Sequence, residues 1–242
     1  MDLGLRGRAA IVEASSEGIG KAVAFALARE GSDLLICARR TGPLDETAEV
    51  IRTATAVRVA AVAADVTDEH AAKELVARAL SEYGRLDICV TNAGGPPSKS
   101  FSETTPEDWR KAVDLNLLSA VWLAREALPV MQRAGWGRFI TLTSVSVKQP
   151  LSGLILSNSV RTAVNGLVRS LCNEYGANGV TVNNVCPGFT ATERLRELAG
   201  KLGPGAEQEW IERIPARRLA TPAEVGDLVA FLCSERAAYI NG

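Results

Sequence analysis

Short apolar runs rich in β-branched residues alternate along the chain with longer stretches whose apolar positions recur at helical spacing. The runs "RAAIVEA", "DLLICA", "VRVAAVAADV", "LDICVTNAG", "GRFITLTS" and "GVTVNNVCPG" read as strands. Between them, "GIGKAVAFALAREG", "DETAEVIRTAT", "DEHAAKELVARALSEYG", "PEDWRKAVDLNLLSAVWLAREALPVMQRAG" and "VRTAVNGLVRSLCNEYGANG" read as helices, several closed by a C-capping glycine. Strand, helix, strand in repetition requires right-handed crossovers and a parallel sheet covered on both faces. The pattern predicts an α/β fold, a doubly wound three-layer domain of six strands over residues 1–242. A last helix, "TPAEVGDLVAFLCSERA", opens on a capping box, Thr221 at the N-cap and Glu224 three residues on. Residues 189–215 break the alternation with Gly, Pro, charge and short helical pieces; they are either a lid over a ligand crevice or a plain surface excursion.

Composition narrows the function. With 242 residues, 47% of them apolar, the chain can build a sizeable core, and doubly wound domains reach this length undivided. A formal net charge of -1 gives no general attraction to nucleic acid or anionic membrane, so the expected partner is a small molecule. No apolar run has the length of a membrane span and "MDLGLRGRAAIV" lacks signal-peptide features, which leaves a cytoplasmic location as the expectation. Cys37, Cys89, Cys172, Cys186 and Cys233 are scattered without a C-x-x-C pair and read as reduced hydrophobes rather than disulfides or metal ligands. His70, the single histidine, lies in the polar run "TDEHAAKE" and reads as a solvated surface residue.

"AIVEASSEGIGKAVAFALA" is a strand, a glycine turn and a helix start, the arrangement that receives a pyrophosphate on backbone N–H groups. Gly18 and Gly20 allow close backbone approach, but Ala14 stands where the tight turn favours glycine. If that turn needs a positive φ, alanine costs about 1–2 kcal/mol. After the second strand, "ICARR" places Ala38 where a ribose-binding acid is expected, followed by Arg39. A planar guanidinium there favours a 2′-phosphate, hence NADP(H) over NAD(H), the alternative being a solvated strand end. Glu17, in the turn, opposes that preference.

Taken in order, "ASSEGIG", "DVT" at Asp65, "TNAG" at 91–94, "LNLL" around Asn116, "TSVS" around Ser144 and "PGFTAT" at 187–192 resemble the short-chain dehydrogenase/reductase family, most of all its 3-oxoacyl-(acyl carrier protein) reductase branch. The resemblance runs from about Leu5 to Gly242 and implies a Rossmann-type fold and carbonyl/hydroxyl redox chemistry. It implies that Ala14, Ser16, Gly18, Ile19 and Gly20 form the cofactor turn, with Asp65 and Val66 beside the adenine. Asn92, Ala93 and Gly94 then make the floor, and Pro187, Gly188 and Thr192 the nicotinamide side, Thr192 holding the carboxamide. For Asp65 an N-cap or turn role stands beside the binding one.

The family's catalytic group is Asn, Ser, Tyr and Lys, with Tyr thirteen residues after Ser and Lys four after Tyr. Asn116 and Ser144 match it, but the other two positions hold Ser157 and Arg161. By the family's chemistry a tyrosine protonates the carbonyl oxygen while the lysine lowers the phenol pKa from about 10. Ser157 is a poor general acid, and losing such an acid costs roughly 10²- to 10⁴-fold in rate. Arg161 shares a helix face with Ser157 and keeps the charge; it is placed to bond ribose hydroxyls, clamp a substrate carboxylate or hold an oxyanion. Blander roles stand alongside: a helix N-cap for Ser157, an exposed arginine for Arg161, a satisfied buried amide for Asn116. The expectation is an NADP(H)-linked reductase with an atypical site formed by Asn116, Ser144, Ser157 and Arg161; a dinucleotide-binding pseudoenzyme, or a non-redox lyase or isomerase, is the alternative. The family also implies a homodimer or homotetramer. "AAYING" stops where the family's last strand begins, so a truncated chain, a bare sheet edge and an altered tetramer are expected.

Overall fold

Strands β1 (Ala9–Val12), β2 (Asp33–Ala38), β3 (Val59–Ala63), β4 (Ile88–Thr91), β5 (Gly137–Leu142) and β6 (Val180–Val185) form one parallel sheet in the order β3-β2-β1-β4-β5-β6. The structure is a computed structural model and describes residues 1–242, the side chain of Leu202 excepted. Nine α-helices connect and cover the strands: α1 (Gly18–Arg29), α2 (Thr41–Ala54), α3 (Glu69–Tyr83), α4 (Pro106–Val113), α5 (Ser119–Ala134), α6 (Ile155–Tyr175), α7 (Glu193–Leu202), α8 (Ala206–Arg213) and α9 (Pro222–Leu232).

The period of two along each strand divides the core between the faces. Ala10, Val12, Leu34 and Ile36 meet Val23 and Leu27 of α1, Ile51 of α2 and Val229 of α9. Ile11, Leu35, Cys89 and Phe139 meet Leu75 of α3, Leu123 and Met131 of α5, and Val164 of α6. With both faces covered, the strands read as apolar runs rather than alternating ones. The expected six-stranded, three-layer architecture is the one observed. Because β1 lies between β2 and β4, the connections leave to opposite sides there, and a crevice opens beyond the carboxyl ends of the strands.

Three local expectations need correction. The long helix expected from Pro106 is broken by a π turn at Asp114–Leu118, in which Ser119 N–H reaches back to Asp114 O and Ser119 Oγ donates to Leu115 O at 2.6 Å. The helix expected from Val160 begins at Ile155, so Ser157 is a buried residue inside α6 and not its N-cap; Leu154 holds the cap position without a side-chain bond. Asn158 pins that start by bonding Leu151 N–H and O at 3.2 and 2.9 Å. The β6 edge, expected bare, is partly covered: Val182 N–H donates to Asn241 Oδ1 at 2.8 Å, Asn183 Nδ2 to Ile240 O at 2.9 Å and Gly242 N–H to Val182 O at 2.9 Å. The capping box of Thr221 and Glu224 is present as expected.

Candidate active site

The glycine turn is built for close approach. A Cβ on Gly20 would collide with the Ala14 carbonyl, and one on Gly18 would lie 3.4 Å from Thr192 Cγ2 across the crevice. Gly18 has φ +58° and Ala14 φ +49°, so the alanine sits in the left-handed region that glycine occupies without strain. Glu17 occupies the N-cap of α1 without a side-chain cap bond, leaving the first-turn N–H groups open toward the crevice. Its carboxylate instead pairs with Arg40 at 3.0 Å, which offsets the repulsion expected from it. Arg39 is exposed at the end of β2 and, among the described residues, makes no hydrogen bond or ion pair. Asp65 is exposed and closes its own turn, accepting from Thr67 N–H at 3.0 Å and Thr67 Oγ1 at 2.8 Å, while Asp68 caps α3.

A cleft of about 320 Å³ gathers Ala14, Gly18, Ile19, Asn92, Ala93, Gly94, Ser144, Ser157, Arg161, Pro187, Gly188 and Thr192. Ser16, Gly20, Arg39, Asp65 and Val66 lie outside its wall; Asn116 lines a small adjoining cavity of about 10 Å³ together with Arg161. Thr192 caps α7, its Oγ1 accepting from Leu195 N–H at 3.2 Å, which leaves the hydroxyl proton free to donate. Leu195 and Leu198 of α7 close one side of the cleft.

At the catalytic end, Ser144 follows β5 and caps a 3₁₀ turn by accepting from Ser146 N–H at 3.1 Å. Ser146 Oγ lies 3.4 Å from Ser157 Oγ, linking the two hydroxyls beneath the cleft. Arg161 is not exposed: only 7% of it is accessible, and its guanidinium donates to Leu142 O at 3.2 Å, Thr143 O at 2.9 Å, and Ala93 O and Gly94 O at 3.4 Å each. It thus ties the carboxyl ends of β4 and β5 together. Among the described residues no carboxylate pairs with it, and burial first, then the nearby Arg194 charge, brings its pKa down to about 10. Asn116, in the π turn, donates Nδ2 to Gly94 O at 3.0 Å, while its buried Oδ1 has no partner among the described residues. The satisfied amide considered from sequence is therefore only half satisfied.

None of the tyrosines lines the cleft. Tyr83 OH donates to Leu34 O at 2.5 Å and accepts from Ala60 N–H at 3.1 Å; Tyr175 packs in the core and Tyr239 is exposed. His70 is exposed on α3, and among the described residues no His, Cys, Asp and Glu cluster could hold a metal ion. Among the described residues no helix is long and apolar enough to cross a membrane.

Two residues of the site were not assigned to it from sequence. Glu13, the last residue of "RAAIVE", is 2% exposed beneath the floor, accepts from Asn92 N–H at 3.3 Å, and is pushed up to about 8 by burial. The available signal was an acid ending an apolar strand just before the glycine turn. Arg194, at the start of α7, reads from sequence, like Arg196, first as part of a solvated helix face and second as a contact for an acidic substrate; it lines the cleft, donates to Pro96 O at 3.3 Å and pairs loosely with Glu197 at 3.5 Å.

Comparison with known proteins agrees with this geometry. The family model described as enoyl-(acyl carrier protein) reductase matches residues 13–242. The 3-oxoacyl-[acyl-carrier-protein] reductase FabG of Aquifex aeolicus is 31% identical over 246 residues, covering 100% of this chain and 96% of the relative. The crystal structure of L-sorbose reductase from Gluconobacter frateurii complexed with NADPH and L-sorbose superposes with a TM-score of 0.95 at 32% identity, covering 100% of this chain and 95% of that one. A 7α-hydroxysteroid dehydrogenase complexed with NADH and 7-oxo glycochenodeoxycholic acid gives 0.94 at 29% identity, covering 99% and 92%. Ordered motifs, a parallel sheet with its crevice at the β1/β4 switch, and full-length relatives agree: the chain belongs to the short-chain dehydrogenase/reductase family.

Proposed function

We propose that the protein is an NADP(H)-dependent oxidoreductase that interconverts a carbonyl and a hydroxyl in the cleft above β1, β4 and β5. The observation that carries this reading is the convergence of Ser144, Ser157 and Arg161 with the glycine turn on one cleft, with Asn116 just behind them. The residues fit a dinucleotide: open N–H groups begin α1, Gly20 lets the turn close against the Ala14 carbonyl where a Cβ would collide, and Thr192 keeps a free hydroxyl proton. Asn92, Ala93 and Gly94 would floor the site, and unpaired Arg39 supports a preference for a 2′-phosphate now that Arg40 holds Glu17 away. The nicotinamide cofactor, when bound, supplies or accepts the hydride.

Ser144 and Ser157 present hydroxyls to the carbonyl oxygen, and the fixed charge of Arg161 stabilises negative charge developing nearby. Neither serine is an acid near neutral pH, so the proton comes from water. The small cavity between Asn116 and Arg161 offers a route, because Asn116 Oδ1 is an unused acceptor there. Turnover is accordingly slow for the family, by roughly 10²- to 10⁴-fold. In this reading α7 and α8 form a lid, and the protein works in the cytoplasm as a homodimer or homotetramer.

The test is NADPH consumption at 340 nm with β-keto thioesters, keto acids, ketoses and quinones. Oxidation above background on at least one supports the reading; saturable NADPH binding without turnover on any supports the pseudoenzyme instead.

A further inference from the structure

Two cationic side chains line the same cleft from different helices, Arg161 from α6 and Arg194 from α7. Arg161 is a buried cation whose hydrogen bonds, all to backbone carbonyls, carry no countercharge. A buried charge without an opposite partner is costly, and an arriving anion relieves that cost. The two acids in the cleft wall do not supply one: Glu17 is held by Arg40 at 3.0 Å and Glu193 by Arg196 at 3.1 Å. Arg194 lies over Gly95, its Nη2 3.7 Å from where a Cβ on that residue would stand, so its guanidinium rests in contact distance of the cleft floor. Ser144 and Ser157 complete the lining with neutral hydroxyls.

From this arrangement we infer that the substrate is an oxo acid or its hydroxy acid, whose carboxylate binds between Arg161 and Arg194 while its carbonyl meets Ser144 and Ser157. The inference rests on the oxidoreductase reading for its carbonyl half; its carboxylate half stands on the two arginines alone. A dinucleotide does not make this site redundant, since its pyrophosphate belongs at the open N–H groups of α1. The Nη groups of Arg161 are committed to four carbonyls, so Arg161 supplies its charge, while Arg194, bonded to Pro96 O and loosely to Glu197, supplies the charge-assisted hydrogen bonds to the carboxylate.

The test compares 2-oxohexanoate and 3-oxohexanoate with their methyl esters. Binding is read by calorimetry on protein saturated with NADP⁺, and on the protein alone should no dinucleotide bind; kcat/KM is read wherever turnover occurs. Loss of a charge-assisted contact predicts that at least one acid exceeds its ester by about 10- to 100-fold. Arg194→Gln should reduce that ratio to within about threefold, whereas Arg133→Gln, exposed near the end of α5 and outside the cleft wall, should leave it unchanged. Esters that bind as well as the acids, or a ratio that survives Arg194→Gln, would overturn the inference. Acid binding with no NADPH oxidation on these acids or on any member of the carbonyl panel above would retain the carboxylate site and refute the redox reading, so the two failures are distinguishable.

Discussion

Glu13 makes the fold's stability depend on pH in a window set by one side chain. Its carboxyl is raised from an ordinary value of 4.5 to about 8 because burial disfavours the charged form, a cost that the single bond from Asn92 N–H only partly offsets. Buried Cys37 and Cys89 lie close enough to feel its charge and offer no countercharge. Below about pH 4.5 both folded and unfolded chains hold this proton; between about 4.5 and 8 only the folded chain does, so stability falls as pH rises and levels off above about 8. At pH 7, some 2.5 pH units above the ordinary value, the penalty is about 3 kcal/mol at 1.36 kcal/mol per pH unit. Glu13→Gln keeps an acceptor for Asn92 and cannot ionise. Thermal melts of both proteins from pH 4.5 to 9 should show a Tm advantage for the variant that is near zero at the acid end and about 6–12 °C at pH 7. A difference that does not change with pH, or a variant less stable at pH 7, would refute a buried, proton-holding Glu13.

Ala14→Gly should relieve the strain of φ +49° and stabilise the protein by about 1 kcal/mol in urea or thermal unfolding; a loss of stability would show that the left-handed alanine is unstrained. Gly20→Ala, whose Cβ meets the Ala14 carbonyl, should weaken NADPH binding at least tenfold by fluorescence titration, and an unchanged Kd would remove that loop from the cofactor site. Ser157→Tyr with Arg161→Lys should raise kcat by about 10²-fold or more by restoring a phenol acid beside an ammonium; no gain from the pair would mean that the surrounding pocket no longer accepts this geometry.

The sheet, its six strands and the two-faced core were legible because apolar runs report burial, and five of the six strands are almost wholly buried; the edge strand β3, with only Val59 buried, still carries an apolar run. Helix ends were less so. Ser157 read as a cap candidate because serine favours that role, yet tertiary contact with Ser146 and a pinned Asn158 draw the start of α6 forward to Ile155. The π turn at Asn116 leaves no periodic signal, since one extra residue in a turn shifts the apolar register only slightly. The places of Ser144, Ser157 and Arg161 followed from the family resemblance, but not the direction of the guanidinium, which depends on four carbonyls at and beyond the ends of β4 and β5. Glu13 was missed because a charged residue at a strand end ordinarily meets water, and only the packing of β2 and β4 on either side of it shows that this one does not.

The measurement closest to the centre is a titration of NADPH into the wild-type protein, followed by nicotinamide fluorescence and repeated with Arg39→Ala and with NADH. A cleft that holds the dinucleotide predicts saturable binding, NADPH tighter than NADH, and loss of that difference in the variant. Absence of saturable binding by either nucleotide would contradict it.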